Sequence, residues 1–201
     1  MNMIICESKE ISETQLIRCI QTLTLAFDGY SLMRHFLAED DHRQRVRLYQ
    51  ETFLRKVGMT VGHVWATDDG TAVSVWTAPD IEDAEEVFTP LSIEFERIAG
   101  SRANVMRSSE AIMAKERPKF PCWFLGVVAV DPDFQGKGLS RAVIEPGIER
   151  ADCEGLPVFL ETSDDKNVRF YERLGFEVTA AYPLPFDGPV TYAMIRWGRS
   201  Q

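Results

Sequence analysis

The sequence predicts an α/β fold, with residues 1–201 forming one domain. Three stretches carry that prediction. Residues 123–130 are a near-continuous apolar run of strand length, stopped by Asp131-Pro132 and followed by a glycine-rich turn into a helical repeat. Residues 158–163 read as another strand, then a short polar break, a helix over 167–174, a stop at Gly175 and a new strand. Residues 61–67 and 71–77 are strand-like and flank Asp68-Asp69-Gly70, a hairpin turn.

The remaining elements follow in order. Residues 3–6 make a short apolar strand. Ser12 and Gln15 fit a capping box, and Leu16, Ile20, Leu23 and Phe27 then share one helical face until Asp28-Gly29. Residues 30–36 read as an aromatic, mobile connection. A second helix is expected from about 41 to 56, burying Val46, Tyr49, Phe53 and Val57. Residues 81–116 read as two helices parted near Gly100-Ser101. Glu82, Asp83, Glu85 and Glu86 lie in the first turns, where the helix dipole favours carboxylates. Lys115, Arg117 and Lys119 gather at the far end, and Pro118 and Pro121 lead into the 123–130 strand. The helix after the glycine turn runs to about Cys153 and is expected to kink at Pro146, which lacks an N–H. The last strands are 176–182 and 190–197.

Composition excludes several classes. The chain is 45% hydrophobic and 26% charged, as in soluble globular proteins, and no apolar run approaches the ~18 residues of a membrane span. The first residues lack the basic and apolar regions of a signal peptide, so a cytoplasmic protein is expected. Four cysteines without a CxxC pair give no zinc pattern and no disulfide framework, and no metal is expected. A net charge of −9 disfavours nucleic acid as a partner and suits a cationic amine.

The turn after the long strand carries the chemistry. N–H groups in the first turn of a helix lack intrahelical partners, and the dipole there attracts anions. Glycines let a phosphate approach, and Lys137 adds a cation. A P-loop needs glycine at Asp131 and Ser or Thr at Gly138, so that pattern fails. A dinucleotide fingerprint starting at Gly136 needs its third glycine where Arg141 stands, so that fails too. What remains is Gln135-x-x-Gly138-x-Ser140, with Ser140 as a small substitute for the usual last residue.

That motif resembles the acetyl-CoA pyrophosphate loop of the GNAT N-acetyltransferase superfamily. Val158 to Ser163 followed by Asn167 and Phe170-Tyr171-Glu172-Arg173-Leu174-Gly175-Phe176 resembles the second half of the GNAT core. Over residues 16–196 the chain is similar, within that superfamily, to the puromycin N-acetyltransferases. The earlier blocks that carry this are Ala26-Phe27, Tyr30, Arg34-His35, Val75-Trp76-Thr77, Gly100-Ser101-Arg102 and Arg117-Pro118-Lys119. Ser140 in place of Gly and the many changes in 81–116 depart from the pattern, the latter in the region that bears on the acceptor.

The resemblance implies a mixed, twisted sheet of about seven strands whose central parallel pair, 123–130 and 158–162, splays apart, with helices on both faces. It implies acetyl-CoA as co-substrate. Pantetheine would lie along the backbone of Val128, Ala129 and Val130, and the pyrophosphate on Gln135, Gly136, Lys137, Gly138, Leu139 and Ser140, with Arg141 nearby. Asn167 and Phe170 would contact the cofactor. Tyr171 would be the acid that protonates the leaving thiolate, or else a packing residue. Glu161 is the candidate base, directly or through water, with an ordinary ion pair as the alternative. His35 and His63 are further candidates, each with a structural reading. Tyr30, Trp76 and Trp123 are candidate aromatic walls for the acceptor, with hydrophobic core as the competing reading for each tryptophan. The implied partner is a small-molecule amine, puromycin-like or another: a polyamine, an amino acid or a protein amino group. Many members of the family dimerise, so a homodimer is among the states implied. A non-catalytic acyl-CoA sensor is the reading from another class.

Overall fold

The computed structural model describes residues 4–81 and 84–198; Met3, Glu82 and Asp83, named above, lie outside them. Seven strands form one sheet: β1 (Ile5–Glu7), β2 (His63–Thr67), β3 (Ala72–Thr77), β4 (Trp123–Val130), β5 (Val158–Thr162), β6 (Glu177–Pro183) and β7 (Val190–Arg196). Their order is β1-β2-β3-β4-β5-β7-β6. Only β4 and β5 are parallel among the paired neighbours. This is the mixed, seven-stranded sheet with helices on both sides that the resemblance implies.

One face is covered by α1 (Glu13–Phe27) and α3 (His42–Phe53). The capping box forms: Ser12 Oγ accepts the Gln15 N–H and Gln15 Oε1 accepts the Ser12 N–H, a cap that contributes ~1 kcal/mol. Leu16, Cys19, Ile20 and Leu23 then pack on Val64, Ala66, Val73 and Val75. Leu23 is fully buried, which contributes ~1.5–3 kcal/mol for a residue of its size. Past Phe53 the α3 axis widens into a π-turn over Leu54–Gly58, so the helix expected to reach residue 56 changes its winding there.

The other face carries α6 (Leu139–Glu154), which connects β4 to β5. Ser74 Oγ donates to the Val143 carbonyl at 2.6 Å, and Gly147 lies so close to Trp76 that a Cβ there would stand 2.5 Å from its ring. The helix continues through Pro146. Residues 30–36, expected as a mobile connection, instead form α2 (Ser31–Phe36). Met33, His35 and Phe36 are buried there, against α4 (Ala84–Ala99) and α5 (Ala103–Glu116) among others. The six-residue helix is too short for periodicity to reveal it, and packing supplies its stability. Finally α7 (Asp165–Glu172) follows β5, capped by Asp164, whose carboxylate accepts the Lys166 N–H at 2.9 Å.

Candidate active site

The sheet is open at its centre. β4 and β5 pair at Trp123–Val158, Phe124–Phe159 and Leu125–Leu160, and the ladder ends there, although β4 runs on to Val130. The cause is a bulge at Gly126: Trp76 faces Leu125 and Val75 faces Val127, leaving Gly126 as the extra residue. A Cβ at Gly126 would stand 2.8 Å from the Phe53 ring, so a larger residue would have to displace that ring.

The bulge also reverses which backbone groups face which neighbour. Before it, the Trp123 N–H donates to Pro157 O, toward β5; beyond it, the Asp131 N–H donates to Thr71 O, toward β3. Antiparallel alternation then turns Val127 and Ala129 to β3, and the N–H and C=O of Val128 and Val130 to the split. Ala129 therefore offers no backbone group there, and its side chain packs toward α1, in contrast to the expectation that grouped it with Val128 and Val130.

At the end of β4, Asp131 anchors the glycine turn. Its Oδ1 accepts the Asp133 N–H at 3.0 Å and its Oδ2 pairs with Arg18 Nη2 of α1 at 2.5 Å. Burial opposes the charge on this carboxyl, but the Asp133 N–H and Arg18 outweigh it and hold it below the usual aspartate range. Gln135 Nε2 lies 3.5 Å from the Val130 carbonyl, at the mouth of the split. Gly136 and Gly138 have φ of 76° and 81°, the left-handed region that other residues enter at a cost. A Cβ at either would meet nothing within 4 Å, so packing does not explain these glycines. Gly138 starts α6, and the Leu139, Ser140 and Arg141 N–H groups form its first turn. Lys137 sits over the Phe134 ring at 4.7 Å, and Arg141 pairs with Glu145 on the surface.

Across the split, the end of β5 and α7 bring together Tyr30, Thr162, Asn167 and Tyr171. Asn167 Nδ2 donates to Thr162 Oγ1 at 3.2 Å, and Tyr30 Oη lies 3.2 Å from the same oxygen. Tyr171 is buried, with Phe170 and Phe176 edge-on at 5.2 and 5.7 Å. Burial, with the neighbouring Tyr30 phenol adding to it, pushes the Tyr171 hydroxyl well above its ordinary pKa. It holds its proton at neutral pH.

Glu161 faces the other side of the sheet from Leu160, beside Phe159. Its Oε2 accepts from Arg117 Nε at 2.9 Å, with Nη2 of the same ion pair 2.8 Å away, and its Oε1 accepts from Tyr182 Oη at 3.0 Å. Burial raises its pKa, and Arg117 and Tyr182 offset only part of that rise. Glu161 is thus ion-paired with Arg117 at the point where β5 parts from β4. Sequence reasoning placed Arg117 at a helix end without assigning it to the site; Tyr182 carried no signal beyond strand alternation.

Two predicted walls are core residues. Trp76 is fully buried and Trp123 is 1% exposed, their rings 6.5 Å apart, with Nε1 atoms donating to Ser74 Oγ and Glu154 Oε2. Neither has a face to offer an acceptor, because α6 covers both. Tyr30 is half-buried and points its hydroxyl at β5. His35 is buried with Nε2 3.3 Å from Ser109 Oγ and Nδ1 3.2 Å from Arg102; His63 stacks on Trp65. Both read as structural. Among the described residues no His, Cys, Asp or Glu group could hold a metal ion, and no helix is long and apolar enough to cross a membrane.

The parallel neighbours of the sheet thus part beside the glycine turn that leads into α6. The chain belongs to the acetyltransferase (GNAT) family, whose model matches residues 28–176, and acetyl-CoA dependence is general to that family. An uncharacterized N-acetyltransferase of Schizosaccharomyces pombe is 40% identical over 72 residues, 36% of this chain and 29% of that protein. Mycothiol acetyltransferase of Propionibacterium freudenreichii is 37% identical over 67 residues, 32% of this chain and 20% of that enzyme. The matches thus span less than a third of either relative. A crystal structure from Corynebacterium glutamicum, described as histone acetyltransferase HPA2 and related acetyltransferase, shares the fold with a TM-score of 0.75. It is 23% identical and the match covers 100% of this chain and 99% of that one.

Proposed function

We propose that the chain transfers the acetyl group of acetyl-CoA to the primary amine of a small molecule by direct attack on the thioester. The observation that carries this is the ladder that ends at Leu125–Leu160 while Val128 and Val130 turn their peptide groups to the gap. Pantetheine is an extended diamide and can pair with those groups as a strand would. Its pyrophosphate then falls at the open glycine turn, on the first N–H groups of α6, with Lys137 and Arg141 within reach.

In the reaction the amine nitrogen bonds to the acetyl carbon, the C–S bond breaks, and the thiolate takes the Tyr171 proton. The proton lost by the amine goes to Glu161, directly or through water. Positioned proton transfer of this kind contributes ~10²–10⁴-fold. Tyr30 and the neighbouring α2 line the acceptor side, and Asn167 steadies Thr162 at the end of β5. A puromycin-like aminonucleoside is the first acceptor to test, on the resemblance the sequence analysis draws to the puromycin N-acetyltransferases, with polyamines, amino acids and protein amino groups as the others.

Two measurements test the proposal. Titration calorimetry with acetyl-CoA reads binding, and CoA-thiol release with puromycin, spermidine, free amino acids and an N-terminal peptide reads transfer. Saturable release with one of these amines is the expected result. Binding without release from any of them would make the chain an acyl-CoA sensor, and no binding would remove the reading.

A further inference from the structure

We propose that Arg117 is the positioning residue of the proton acceptor, holding the Glu161 carboxylate ionised and in one rotamer where β5 parts from β4. This rests on the function above, which gives Glu161 the amine's proton.

Glu161 directly follows Leu160, the last β5 residue paired with β4. Its side chain is 5% exposed, against 36% for Arg117. A carboxylate so buried keeps its charge only with partners. Arg117 Nε donates to Glu161 Oε2 within the ion pair, Nη2 donates to Glu110 Oε2, and Tyr182 donates to Glu161 Oε1. The geometry starts in the chain: Arg117 ends α5 at φ −68°, ψ 139°, and Pro118 restricts it to this extended conformation. Its guanidinium lies 5.8 Å from the Phe124 ring centroid. The other groups around the pair are Glu110 of α5, 3.1 Å from Arg117 Nη2, Tyr49 of α3, and Glu116, which acts on Tyr182. Burial works against charge on Arg117, but Glu110 and Glu161 together outweigh it. Without Arg117, Glu161 faces Glu110 with only Tyr182 as donor, and it takes up a proton before the amine can deliver one. A lysine ammonium is a point charge and does not reproduce a planar guanidinium that reaches Glu161 through Nε and Glu110 through Nη2.

The test is a carboxyl ¹³C NMR pH titration of the full chain with labelled glutamate, Glu161 being assigned by its loss in Glu161→Gln. Arg117→Met is expected to raise the Glu161 midpoint by one pH unit or more, tenfold in proton affinity, and Arg117→Lys to restore part of it. An unchanged midpoint in folded Arg117→Met overturns the proposal. If that variant does not fold, a midpoint in Arg117→Lys equal to wild type does so. In the thiol assay, the kcat deficit of either variant should shrink as pH rises; a deficit equal at every pH also overturns it. Wild-type turnover by Glu161→Gln would instead defeat the assignment of the base to Glu161, and would leave the titration to decide the pairing on its own.

Discussion

Tyr30 and Ser163 are joined by a 2.6 Å hydrogen bond in which the Ser163 N–H donates to the phenolic oxygen. Ser31 Oγ donates to the carbonyl of the same serine at 2.8 Å, so Tyr30 and the first residue of α2 hold the residue after β5 by both its peptide groups. Tyr30→Phe leaves the Ser163 N–H without this acceptor. A buried donor stranded in this way costs ~1–3 kcal/mol. A lowered Tm is expected, with loss of acceptor turnover exceeding loss of acetyl-CoA affinity, read by calorimetry and thiol release.

Tyr171→Phe keeps the ring between Phe170 and Phe176 and removes only the hydroxyl. Its kcat should fall by ~10²–10⁴-fold while acetyl-CoA affinity stays near wild type. Equal losses of both would assign Tyr171 to packing.

Gly138→Ala separates the turn's ligand role from its packing role. The added Cβ meets no protein atom within 4 Å, and the cost to the fold is the left-handed backbone, ~1–2 kcal/mol. The methyl group does intrude where the pyrophosphate is proposed to sit. Acetyl-CoA affinity should therefore drop by more than the change in stability accounts for, as calorimetry and thermal denaturation together would show.

Asp131 gives a pH dependence of defined sign. Its carboxyl pKa lies below the ordinary 3.8, so the folded chain binds this proton less tightly than the unfolded one. The pair with Arg18 and the bond from the Asp133 N–H stabilise the fold above pH ~4 and lose that contribution as pH falls through the folded value. Asp131→Asn should lower Tm near neutrality and flatten its decline below pH ~4. An unchanged acid slope would mean that other carboxylates set it.

The hairpin, the Ser12–Gln15 cap and the glycine turn were legible because each is local: a few residues and their spacing dictate the conformation. The bulge at Gly126 was not, since it depends on Phe53 and on the register with Val75 and Trp76, partners distant in sequence. A glycine inside an apolar run was its only signal. Trp76 and Trp123 show the limit from the other side: an aromatic side chain reads alike in core and cleft until α6 is placed over it. Glu161 was legible as a carboxylate on the far side of β5 from Leu160, but its partners Arg117 and Tyr182 come from 44 residues before and 21 after.

The phase reversal at Gly126 has an isotopic consequence. Strand amides engaged with neighbours resist solvent deuterium, whereas those facing the gap do not. Along β4, Val127 and Ala129 should stay protonated while Val128 and Val130 exchange quickly. Adding acetyl-CoA should slow that second pair and erase the alternation.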